Sequence, residues 1–103
     1  MVARRVAEAR KLAEERQGCL NSRLSGSRLD EFAPIDDAGR AVLRHELEHD
    51  RLSARGYHRI RRVARSIVDL RSSAQLQIDE EAIQVALGLR ASLNTTMRIG
   101  RVA

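Results

Sequence analysis

Aromatic residues are almost missing from this sequence: Phe32 and Tyr57 stand alone, and there is no tryptophan. A core without them has to be assembled from Val, Ile, Leu and Ala, which suits a small helical bundle. Proline occurs once, at Pro34, and glycine six times, which argues against a turn-rich β fold. The lone Cys19 excludes an internal disulfide and fits a reducing compartment, so a cytoplasmic location is expected. No apolar run approaches the roughly 20 residues needed to span a bilayer. The charged opening segment, Val2 to Leu12, lacks the character of a signal peptide, and no membrane partner is expected. Lysine is also scarce: Lys11 is the only one.

What is present is arginine. The 103 residues carry a formal net charge of +5, and 43% of them are apolar, enough for one folded domain with a modest core. A basic balance points to an anionic partner such as nucleic acid or phosphate. For most individual arginines, a solvated face with i, i+4 partners is the plainer account.

Periodicity divides the chain into four main helices. The first runs from Val2 to about Arg16, with Val2, Val6, Ala9 and Ala13 on one side, and Gln17-Gly18 ends it. Leu20 to Phe32 reads as a connector with one helical turn from Ser27, anchored by Leu20, Leu24, Leu29 and Phe32. Pro34 breaks the chain. Asp36 or Asp37 then caps a second helix to about Asp50, with Leu43 and Leu47 as its expected core contacts. The third helix lies within Leu52 to Leu70, entered through Ser53. Tyr57, Ile60, Ala64, Ile67 and Val68 fall on one side of it, and Arg55, Arg59, Arg62 and Ser66 form a stripe on the other. Residues 71–77 read as a loop. Asp79 caps the fourth helix, with Ile78 and Ile83 as a hydrophobic staple and Ile83, Ala86, Leu87 and Arg90 along one face. The period is lost after Arg90, so residues 91–103 are expected to form a disordered tail.

Three chemistries are weighed against these elements. His45 to His49 spells HELEH, which satisfies the H-E-x-x-H pattern of zinc peptidases, with Glu46 as base and Asp69 available as a distant acidic ligand. Charged Arg44, Glu48 and Asp50 crowd that segment, and the chain has no room for a sheet-built cleft, so a salt-bridging surface is expected and no metal. Cys19 has no histidine near it in sequence, and an inert thiol is expected. No G-x-x-x-x-G-K-[ST] phosphate loop exists, so this segment alone is not an ATPase. The basic helix remains. Arg55 sits in its first turn, where the positive end of the helix dipole disfavours a cation. An anion or solvent has to answer it, and a guanidinium bonds phosphate oxygens in a fork. A stand-alone DNA-binding module, with Arg62 among its phosphate contacts, is the competing reading.

Ser53-Ala54-Arg55-Gly56-Tyr57-His58-Arg59, followed by Val63-Ala64-Arg65-Ser66-Ile67, resembles the C-terminal domain of magnesium-chelatase-like AAA+ proteins, in the ComM/YifB branch. Arg5-Val6 with Ala9-Arg10, the Asn21, Leu24 and Gly26 connector, and the closing Leu87 and Arg90 resemble that family in the same order. Arg61 departs from it, standing where an apolar residue is commoner, so that turn is expected at the edge of the core. The resemblance implies an all-α lid over residues 1–90 of a larger ATPase, inactive and monomeric by itself. It implies that Arg55 takes the sensor-2 position towards the γ-phosphate of ATP, with Arg59 a weaker candidate. ATP and Mg²⁺ would be bound mainly by an α/β core domain elsewhere. The whole protein is expected to form a ring and to act on DNA as a branch-migration helicase.

Overall fold

A computed structural model describes the backbone of residues 2–71 and 75–102, and the side chains of residues 3–71 and 75–92. Helix α1 is Val2–Gln17, α2 is Gly26–Phe32, α3 is Asp37–Glu48, α4 is Ala54–Arg71 and α5 is Glu80–Val102, with a single 3-10 turn at Asn21–Arg23. Among the described residues the fold is all-helical. The expected count of four is corrected to four long helices and a short fifth, because the connector winds the seven residues of α2 as well as the 3-10 turn.

Helix starts follow local chemistry. The Asp36 carboxylate accepts from the Gly39 N–H at 2.8 Å, the Ser53 hydroxyl from the Gly56 N–H at 3.0 Å, and the Asp79 carboxylate from the Ala82 N–H at 2.9 Å. Each satisfies one of the donors that a helix N-terminus leaves open. Gly18, at φ +77°, closes α1 while its N–H bonds the Glu14 carbonyl at 2.8 Å. Just ahead of α3 and α5, Ile35 and Ile78 form an isolated parallel bridge. The Ile78 N–H donates to the Pro34 carbonyl at 2.8 Å, and the Asp36 N–H to the Ile78 carbonyl at 2.9 Å.

Helix α4 is central. It packs against α1, α3, α5 and the 3-10 turn, and α3 also packs on α5. Ile60, Ala64 and Val68 of α4 are buried with Leu24, Leu29, Leu43, Ile78 and Ile83. Tyr57 and Ile67 are partly buried against that core, and so are Phe32 and Leu87. The close approach of α3 rests on Gly39. A Cβ there would lie 2.9 Å from the Ile35 Cγ2 and 3.3 Å from the Ile83 Cγ1.

Three expectations are corrected. Leu47 is 37% exposed rather than a core contact. A step of four residues drifts about 40° round a helix, so the buried line through Gly39 and Leu43 has left the core by Leu47. Arg61 lies inside, not at the edge, because its head finds partners there (below). The helical backbone of α5 also runs past Arg90 to Val102; extending an established helix needs no new nucleus. The side chains of residues 93–103 lie outside the described residues, as do residues 72–74 of the expected loop and the Val2 side chain.

Candidate phosphate-binding face

The five arginines of α4 before Asp69 divide into two sets by their position around the helix. Arg55, Arg59 and Arg62, at i, i+4 and i+7, face out. Arg61 and Arg65 face in.

The outward set lines a groove of about 380 Å³ together with Ser22, Val63 and Ser66. Arg55 and Arg59 are exposed, and neither has a hydrogen-bonding or ionic partner among the described residues. Arg62 is half-buried and donates from Nη1 to the Leu24 carbonyl at 3.4 Å, which leaves most of its fork free. The Ser66 hydroxyl accepts from the Asn21 side-chain amide at 3.1 Å, so its own hydrogen is available. Among the described residues no carboxylate lines the groove. It is a concave surface of donors, chemically suited to an oxyanion with several acceptor oxygens.

The start of α4 is held tightly beneath Arg55. A Cβ on Gly56 would come within 3.1 Å of the Leu52 Cδ1 and 3.3 Å of the Ser53 Oγ, so glycine lets the capped first turn pack down. Arg90 donates from Nη1 to the Arg51 carbonyl at 3.2 Å, tying α5 to the segment that leads into that turn. Arg55 is thus an exposed cation, unpaired among the described residues, on a capped and closely packed first turn.

The inward set is structural. Arg61 donates from Nε to the Ala33 carbonyl and from Nη1 to Asp30, both at 2.8 Å. Arg65 is fully buried. It donates to the carbonyls of Phe32 (3.4 Å), Gln75 (2.8 Å) and Leu76, and to the Asp69 carboxylate (3.1 Å). Asp69, 6% exposed, also takes a two-pronged contact from Arg16 at 3.0 and 3.1 Å and a bond from the Asn21 amide at 2.8 Å. Asn21 in turn accepts from Arg16 and Gln17. Burial pushes the Arg65 pKa down; Asp69 pulls it back up, and Arg16 adds a smaller downward push. Sequence reasoning missed this network. Its one local signal is the i, i+4 spacing of Arg65 and Asp69, while Arg16 lies too far away in the chain to be paired by pattern.

The network also removes Asp69 from any zinc site. His45, in α3, and His49, just past its end, are both exposed with ring centroids 4.1 Å apart; His49 Nδ1 contacts the His45 carbonyl and His45 Nε2 contacts Arg51. Glu46 pairs with Arg51 at 3.4 Å. Among the described residues, no group of three or more His, Cys, Asp or Glu side chains converges to hold a metal, and no helix is long and apolar enough to cross a membrane. Cys19 is half-buried and free.

Comparison with known proteins places this sequence in a lineage. Over 101 residues, 98% of this chain, the sequence is 30% identical to the competence protein ComM of Haemophilus influenzae, and it spans 19% of that relative's length. No solved structure matches. The family model described as the C-terminal part of magnesium chelatase subunit ChlI matches residues 1–90, which include the whole of α1 to α4 and the first half of α5, and the chain therefore belongs to the magnesium chelatase ChlI C-terminal family.

Proposed function

We propose that this chain is the helical lid of a magnesium-chelatase-related AAA+ ATPase, and that Arg55 is its nucleotide-sensing residue. The observation that carries this reading is an exposed guanidinium without a partner, in the first turn of a helix whose cap and backbone are tightly fixed. Membership of the family and similarity to ComM support the larger context.

In this reading a separate α/β core domain of the same protein holds ATP and Mg²⁺, and the lid closes over them. Arg55 donates to oxygens of the γ-phosphate. As water attacks phosphorus and the bond to the β–γ bridging oxygen breaks, negative charge shifts onto oxygens that the guanidinium helps neutralise. Once the γ-phosphate has left, Arg55 loses its contact, and the lid is free to move. Arg59, one turn on, reaches the same region. The complete protein forms a homo-oligomeric ring and uses this movement on DNA, as a ComM-like branch-migration helicase.

The test is Arg55→Ala in the complete ATPase. ATP turnover is expected to fall roughly 100–1,000-fold, by analogy with removing one charge-stabilising donor, with melting temperature unchanged. Unchanged turnover would reject the assignment. The three-arginine stripe also supports a second reading, a DNA-binding module. Titrating this domain with single-stranded and duplex DNA at two salt concentrations separates the two, because micromolar affinity with a steep salt slope is expected only of the module.

A further inference from the structure

The groove is longer and richer in donors than contact with one γ-phosphate requires. Arg55, Arg59 and Arg62 succeed one another along α4 with rises of about 6 Å and about 4.5 Å, and Ser22 and Ser66 add hydroxyls beside them. We infer that the groove is a subsite for a phosphate chain: Arg59 and Arg62, with the two serines, hold the phosphates next to the one met by Arg55, and nothing in it reads the base. The inference rests on Arg55 being a nucleotide-phosphate contact.

Three features support this choice of ligand. The first is charge. Three guanidiniums unopposed by a lining carboxylate suit a polyanion better than a single orthophosphate dianion. The second is what the lining omits. Among the described residues Val63 is the only apolar one in the lining and none is aromatic, so they offer no platform for a base to stack on, as single-stranded nucleic acid would need. Nor is any described lining residue an Asn or Gln that could read a base edge. The third is preorganisation. Arg62 is steadied by the Leu24 carbonyl, and Ser66 by Asn21, whose amide also bonds buried Asp69. The end of the groove away from Arg55 is therefore tied by hydrogen bonds to the buried Asp69 network, whereas the exposed Arg55 side chain has no such partner among the described residues.

Inorganic tripolyphosphate is the probe, added to the 103-residue chain at low salt and followed by amide NMR shifts and calorimetry. Shifts are expected to cluster at residues 22, 55–59 and 62–66. Arg59→Ala and Arg62→Ala are each expected to weaken binding about five- to tenfold, while Arg44→Ala, on exposed α3 surface outside the groove, changes it less than twofold. Circular dichroism verifies the fold of each variant, and Arg62→Lys, which keeps the charge, is expected to retain most of the affinity should Arg62→Ala lose structure. ATP and GTP are expected to bind equally well. Shifts scattered over other basic surface, insensitivity to Arg59→Ala, a clear base preference, or a single-stranded oligonucleotide displacing tripolyphosphate at equal phosphate concentration would each overturn the inference. The γ-phosphate role of Arg55 fails separately, by unchanged ATP turnover of the complete Arg55→Ala protein.

Discussion

Replacing Asp69 by alanine tests the buried network directly. In the folded chain this carboxylate answers two guanidiniums: Arg65, with no exposed side-chain surface, and Arg16, with 16% exposed. Its removal leaves Arg65 with only backbone carbonyls as partners and a charge that has no counter-ion beside it. Its Nε already lacks a hydrogen-bond partner among the described residues. Breaking such a pair costs about 3–5 kcal/mol, against a total stability of about 5–15 kcal/mol for a domain. At about 4–8 °C per kcal/mol for a chain near this length, the melting temperature should fall by roughly 10–40 °C. Urea and thermal unfolding followed at 222 nm measure the loss. The paired replacement Arg65→Met with Asp69→Leu should recover much of it, since a buried ion pair exchanged for apolar groups of similar volume is often neutral or better. If Asp69→Ala costs less than about 1 kcal/mol, or the double variant is worse than the single one, the charge argument is refuted.

Gly39→Ala should destabilise by about 1–3 kcal/mol, because the new methyl meets buried Ile35 at 2.9 Å; an unchanged urea midpoint would show that α3 can shift to accept it. The Asp79 carboxyl lies below its usual range. Partial burial pushes it up, but the Ala82 N–H, the Gln75 amide and the Arg71 guanidinium together pull it further down. The stability it contributes is fully present above the unfolded value of about 3.9 and is lost as pH falls through the lower folded value. The melting temperature of Asp79→Ala should therefore vary less with pH below about 4 than that of the parent, and parallel curves would contradict this. Zinc added to the chain is expected to wash out on dialysis, and His45→Ala to leave the melting temperature unchanged; stoichiometric retained zinc would restore the HELEH segment as a metal site.

What could be read directly from the letters was local. Ser53, Asp36 and Asp79 announce helix starts because a cap needs only its own side chain and an N–H three residues on. Ile78 and Ile83 are placed by the same short-range rule, and both are buried. The outward arginine stripe follows from spacing alone. The destinations of Arg61 and Arg65 do not. By composition they resemble Arg59 and Arg62, and what draws them inward is a set of carbonyls at the end of α2 and in the approach to α5, brought near only by tertiary folding. Leu47 shows the converse: an apolar residue at a plausible position, left outside by rotation of the buried face. The short helix α2 is legible only as a single turn from Ser27, because a Ser- and Gly-rich composition usually marks loops, and its end is fastened by Arg61 and Arg65 from across the chain.

The paired segments at Ile35 and Ile78 work like a clasp made entirely of main-chain atoms. Amide and carbonyl are common to nearly every amino acid, so neither fastening depends on side-chain chemistry beyond an aliphatic group that fits. Distant relatives could rewrite both short stretches and still launch α3 and α5 from the same point. At this spot, geometry can outlast similarity of spelling, and structural comparison would align the two helix origins after sequence comparison had ceased to.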